Sequence, residues 1–273
     1  MTLDDTLHAL AADPYAAVDL PETALLLAAE ANPALDVPIY LSILDDFAEA
    51  LRPRLRGSLE GKLAEMRCFL FDELGFAGNT ESYYDPRNSY FDAVLDRKLG
   101  IPITLTLVAM AVGERVGIDI RGIGLPGHFI ARADDGRDEI LFDPFHGGGM
   151  LDRHGCESLV GAVLGRPFQL TPECLEPVPP GFFVLRMLSN LKGIYLRTGE
   201  FGRAASVIRR VIQLTPHDEL QQRDLGVSLV HAGRFGEAVD PLRAYMTAQP
   251  DAEDRPIVRD FLKHAMKQLA QWN

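Results

Sequence analysis

A single internal period constrains this chain more than any bulk property. Leu191 and Leu225, Gly199 and Gly233, Phe201 and Phe235, Ala204 and Ala238, and Pro216 and Pro250 all recur at one spacing. A repeat of that length, with small residues where two helices would cross and a proline closing each unit, is the mark of stacked helix pairs. The pairs are expected at about 185–214 and 219–248. A repeat cannot bury its apolar face alone, so two units need caps. Asp254 to Trp272 supplies one, with Ile257, Phe261, Ala265 and Leu269 at intervals of four. On the other side the array is expected to lean on the upstream chain.

The period and its residues resemble the tetratricopeptide (TPR) repeat. The chain departs from that pattern at Lys192, where glycine is preferred, and at Leu229, where tyrosine is preferred. Both changes are tolerable. Ahead of the repeats, Thr171 to Gly181 contains four prolines, which suits a stiff extended connector.

Upstream, residues 3–75 read as helices broken at Pro14, Pro21 and Pro33, the last helix covering about 58–74. Within that helix Cys68 reads as core, since nothing basic is poised to activate it. Asn79 to Asn88 is a polar loop rich in tyrosine. Ser89 to Leu99 is expected as a short helix ended by Gly100. Pro102 to Val116 is apolar on nearly every side, so it is expected as a buried central helix with its proline in the first turn. Three runs of strand character follow, Ile118–Gly124, His128–Ala133 and Glu139–Phe145, the last two joined by a turn at Asp134–Asp138. A buried helix followed by an antiparallel sheet gives an α+β fold, continued by all-α helix pairs. The expected division is an acidic helical segment 1–57, a core 58–170, a proline-rich linker 171–181 and a repeat region 182–273.

The chemistry gathers on the expected hairpin. His128 opens one strand and Asp143 closes the next, so adjacent strands bring the two side chains together. An aspartate beside a histidine fixes its tautomer and stabilises the imidazolium, which is the support a general base needs. Such pairs are also common as purely structural ion pairs.

The order of buried helix, strand with histidine, turn, and strand ending in Asp-Pro resembles the papain-like core of the transglutaminase-like superfamily. Tyr84–Tyr90, Leu99–Leu105, Pro126–Phe129 and Phe142–Phe145 further resemble the SirB-type bacterial family, which joins such a domain to TPR repeats. The resemblance implies a triad in which a cysteine opens the buried helix and is activated by His128 and Asp143. Counting back from Gly117 to the cysteine position lands on Pro102, which has neither thiol nor hydroxyl. The base and its orienting carboxylate remain without their nucleophile, so covalent acyl transfer by the usual route is closed.

Few other groups suit that role. Thr104 falls on the far side of the helix from position 102. Ser89 is equally well read as an N-cap, and Cys156 and Cys174 follow the hairpin. Asn88 either orients a ligand amide or ties the polar loop to backbone; with Ser89 and Thr104 it makes up the expected binding set. Tyr83, Tyr84, Tyr90, Phe129 and Phe145 are candidates for a cleft rim or for core. His128, Asp143, His146 and His154 suit zinc chemically, yet their spacing matches no local ligand motif, and no metal or other cofactor is expected. His146-Gly147-Gly148-Gly149 lacks the lysine of a phosphate loop and reads as a turn.

Charge bears on partners. The net charge is −12, residues 1–51 hold ten acidic and no Lys or Arg residues, and residues 181–273 hold thirteen basic and ten acidic ones. Nucleic acid would be repelled by the front half. The acidic segment and the basic repeats are candidates to contact each other. Ile101 to Gly113 is too short for a membrane span and the start carries no basic leader, so a cytoplasmic protein is expected. Three cysteines without CxxC spacing encode no disulfide framework. Two function classes remain open: an interaction or scaffold protein with a degenerate transglutaminase-like domain, or an amide hydrolase or acyltransferase using His128 and Asp143 with water or an unusual nucleophile.

Overall fold

A computed structural model of the chain describes residues 1–272. The fold is α+β, and the chain divides into two compact units. One unit runs from Ala17 to Val184. The other joins Leu3–Ala16 to the residues from Leu185 onward. The break at Val184 lies beside the expected start of the repeat region at 182, while the acidic N-terminal stretch is shared between the two units.

The first helix, α1 (Leu3–Ala12), buries Leu3, Leu7 and Leu10. Next come α2 (Leu20–Ala31) and α3 (Val37–Leu51). Pro21 lies in the first turn of α2, where no amide hydrogen is needed, so it starts a helix where a break was expected. Helix α4 (Leu59–Arg67) runs on through a wider π turn at Cys68–Glu73. Two-residue strands β1 (Ala77–Gly78) and β2 (Leu99–Gly100) pair in parallel around α5 (Phe91–Arg97). Helix α5 is shorter than the expected Ser89–Leu99. Tyr90, in extended backbone, is its N-cap, and Lys98 ends it in the left-handed conformation.

Helix α6 (Pro102–Val116) is the centre of this unit. Pro102 starts it, and Thr104 Oγ1 accepts the Ile101 amide hydrogen at 3.1 Å. Gly117, at φ +79°, ends it in the left-handed backbone that glycine adopts without steric cost. Every residue from Pro102 to Ala109 is buried. It packs on α2 and α3 and on an antiparallel sheet of order β3 (Asp119–Leu125), β4 (His128–Asp134), β5 (Glu139–Asp143), β6 (Gly149–Leu151).

Beyond Asp143 the chain makes a 3₁₀ turn at Pro144–His146, adds β6, and enters α7 (Arg153–Leu164). Sequence periodicity alone reads β6 and the start of α7 as loop. Asp152 caps α7 by accepting the Gly155 amide hydrogen at 2.7 Å. The proline-rich stretch does not run free between domains. Pro177 forms a bridge with Ile123, and Val178 donates its amide to the Gly122 carbonyl at 2.9 Å, covering the open edge of β3.

Helix α8 (Pro180–Thr198) leads into α9 (Phe201–Leu214), α10 (Glu219–His231), α11 (Phe235–Ala248) and α12 (Arg255–Trp272). Ala204 and Ala238, the small residues of the repeat, are fully buried, and Leu229 fills its position as core. Lys192 reaches Gln221 Oε1 and Asp224 Oδ2, each at 2.6 Å, so the departure from glycine ties one repeat to the next. Within the same unit α1 packs against α9 and Asp4 pairs with Arg210. The N-terminal end of the array is therefore covered by an acidic helix from the start of the chain.

Candidate functional site

Strand pairing positions the site. Ala131 pairs with Phe142, which sets His128, at the head of β4, diagonal to Asp143 at the end of β5 on the same face. Both are buried, at 6% and 2% exposure. His128 Nε2 and Asp143 Oδ2 lie 2.9 Å apart. Donation from Nε2–H to the carboxylate leaves Nδ1 as the basic nitrogen, a tautomer assigned from the bonding network. Nδ1 has no hydrogen-bond partner among the described residues.

Asp143 does more than orient His128. Its Oδ1 accepts the amide hydrogens of Phe145 (2.9 Å) and His146 (3.4 Å), capping the 3₁₀ turn. That turn swings His146 back over its own cap, and Nδ1 of His146 lies 2.7 Å from Oδ2. One carboxylate oxygen thus serves two imidazoles, whose rings are 5.6 Å apart and inclined by 24°. Burial pushes the Asp143 carboxyl up, but the bonds and charge of His128 and then His146 outweigh it and hold it below the ordinary carboxylate value.

Phe145 walls the site. Its ring meets His128 edge-on at 5.9 Å and Tyr83 at 6.1 Å, and Tyr83 meets Tyr84 at 5.4 Å. Tyr83 and Tyr84 are exposed, which puts them at a rim, whereas Phe129 is core against Phe183. Gly78 lets Phe145 sit where it does. A Cβ there would lie 2.6 Å from both the Phe145 ring and its carbonyl oxygen.

Asn88, fully buried, accepts from Asn79 (3.0 Å) and Arg97 (3.3 Å) and donates to the carbonyls of Ser82 (2.8 Å) and Tyr83 (3.2 Å). Its amide is thus committed to tying down the polar loop. Thr104 Oγ1 donates to the Asn88 carbonyl at 2.8 Å while holding Ile101, so its hydroxyl is also committed. Ser89 is not an N-cap, since Tyr90 holds that position, and its buried Oγ has no hydrogen-bond partner among the described residues.

The cysteines stand apart from the pair. Cys156 is fully buried in α7 with Ile123, Leu125, Ile130, Val160 and Leu170, and burial raises its thiol pKa. Cys68 bonds Glu73 at 3.7 Å, and its pKa is raised by burial and by the charges of Glu73 and Asp72. Thr171 Oγ1 is the hydrogen-bond partner of Cys174, at 3.4 Å. His154 is exposed in the first turn of α7, outside the cluster formed by His128, Asp143 and His146.

His146 is the site residue that sequence reasoning placed poorly. The signal was present: an aspartate followed by Pro-Phe-His is a capping sequence that returns the third side chain to the carboxylate.

Fold, site and motif order together define a transglutaminase-like domain followed by TPR repeats, and residues 39–189 match the transglutaminase-like superfamily and 191–263 the tetratricopeptide repeat. The chain belongs to the SirB-type family whose members are named UPF0162 proteins. It is 34% identical over 250 residues to a UPF0162 protein of Xylella fastidiosa, covering 89% of this chain and 88% of that one. A UPF0162 protein of Vibrio cholerae is 29% identical over 218 residues, covering 78% and 80% respectively. Across half of the chain, 145 residues, it is 34% identical to F-box only protein 21 of Homo sapiens, or 22% of that protein. No solved structure matches. No described helix is long and apolar enough to cross a membrane.

Proposed function

We propose that this protein works by binding other proteins, through a TPR surface joined to a transglutaminase-like domain that performs no covalent acyl transfer. The observation that carries the reading is that no thiol or hydroxyl among the described residues is hydrogen bonded to the His128 ring. Pro102, at the position the family resemblance gives to the cysteine, begins α6 with a ring that can neither attack nor donate. The repeats support the binding role. A cavity of about 300 Å³ lined from α8 to α10 and by α12 combines Phe201, Ile257 and Phe261 with Arg223, Asp224 and Asp254. Apolar surface with flanking charges of both signs suits a peptide segment.

A second reading, an amide hydrolase in which His128 activates water, is favoured by the 2.9 Å bond to Asp143 and the open Nδ1. One set of full-length variants separates the two. Wild type and His128→Ala are expected to release no ammonia from glutamine-containing peptides, with or without an amine acceptor. Pro102→Cys should gain a thiol that alkylates at least about tenfold faster than Cys68 near neutral pH, and adding His128→Ala should remove that gain. A partner held by the wild type should be lost on Ile257→Glu, because Ile257 is exposed at the cavity. Ammonia release by the wild type that vanishes in His128→Ala would overturn the binding-only reading.

A further inference from the structure

We infer that His128, Asp143 and His146 form a binding site for one divalent first-row transition-metal ion, of the zinc type. This goes beyond the proposed function and does not rest on it. The donor atoms, two imidazole nitrogens and a carboxylate oxygen, lie within 4.8 Å of one another. Donors at about 2.0–2.2 Å from one tetrahedral ion lie roughly 3.3–3.6 Å apart, so Asp143 Oδ2 is already near both nitrogens and the exposed His146 ring has to turn to bring its nitrogen in. Both nitrogens are aimed at the same point, Asp143 Oδ2, at 2.9 and 2.7 Å. An ion bound beside Oδ2 would take the place of the two N–H groups facing the carboxylate, with the proton of each neutral imidazole shifted to its opposite nitrogen.

The support around these atoms is that of a ligand set. Asp143 Oδ1 is already held by two backbone amides, which fixes Oδ2 as a single-oxygen ligand and recovers the burial of the carboxylate. His128 and Asp143 form a buried floor. His146, its side chain 57% exposed, is the side open to solvent through which an ion arrives and by which the last adjustment is made. Two histidines and one carboxylate suit zinc, iron(II) or cobalt(II) over calcium or magnesium, which take oxygen ligands. Three protein ligands also leave a position for water, which the ion would polarise on the Nε2 side of His128, away from the Nδ1 that a thiol would face.

The test uses the full-length chain stripped with chelator and titrated with zinc chloride by calorimetry, with cobalt(II) chloride absorption as a second reading of the ligands. One equivalent is expected to bind in the micromolar range or tighter. His146→Ala, at an exposed side chain, is expected to weaken binding by at least about tenfold and to change the cobalt spectrum, with the circular dichroism spectrum unchanged. His146→Cys, which restores a ligand, should recover affinity and add a thiolate-to-cobalt band. Absence of saturable binding below millimolar zinc, or affinity unchanged by His146→Ala, overturns the inference. Binding without ammonia release leaves both the metal site and the binding-only reading in place; zinc-dependent release keeps the site and replaces that reading with the hydrolase.

Discussion

Thr104 shows how a polar residue in an apolar helix serves the fold. Its hydroxyl joins the Asn88 carbonyl, the Ile101 carbonyl and the Ile101 amide, all buried. Thr104→Val keeps the shape but leaves the Asn88 carbonyl and the Ile101 amide without this partner, and should cost about 1–3 kcal/mol in denaturant unfolding, with Thr104→Ser recovering most of it. Gly78→Ala tests the wall of the site. The added methyl meets backbone as well as ring, so Phe145 must move, and a loss of about 1–3 kcal/mol with displaced His128 and His146 imidazole resonances is expected. Neither effect is legible in one sequence. There Thr104 reads only as a possible ligand or nucleophile, because its bonds run to residues 88 and 101 across a loop whose path no local pattern dictates.

Among elements, α1 and α12 close the two ends of the repeat array. The C-terminal helix was legible from its four-residue spacing, whereas for α1, close to 200 residues distant in sequence from α9, charge alone named the acidic segment as a candidate and not which helix or register would dock. Leu7→Ala, at a fully buried α1 position, should cost about 2–5 kcal/mol in the unfolding of the repeat unit. A pH effect belongs to the same array. Tyr245 Oη donates to Asp254 Oδ1 at 2.6 Å, Arg223 Nη1 donates to Asp254 Oδ2 at 2.7 Å, and these bonds, in that order, lower the Asp254 pKa. A carboxyl depressed by folding stabilises fully above its unfolded value, near 3.9, and loses that contribution as the pH falls through its folded value. Asp254→Asn should therefore show a smaller loss of stability between about pH 4 and 2, followed by circular dichroism. Short elements escaped the sequence reading for a related reason: β6 has three residues, too few to display a period, and exists because β5 offers it an edge.

For the whole molecule, a net charge of −12 opposes binding to a phosphate backbone. Full-length protein should leave the anisotropy of labelled duplex DNA unchanged at about 150 mM salt, and saturable binding there would contradict this. The sequence by itself determined what is periodic or covalent: the helix pairs, the buried α6 started by a proline, the hairpin that carries His128 and Asp143, and the absence of sulfur at position 102. These follow from local patterning, which a reader can count. Tertiary structure alone decided which polar groups became structural and which remained available. Asn88 and Thr104 were consumed by backbone partners, His146 was drawn onto Asp143 while His154 was carried away on α7, and the acidic first helix was laid on the repeats. The reason is physical: a buried polar group must find a partner wherever the packed chain presents one, and that choice depends on distances in space that spacing along the chain does not contain.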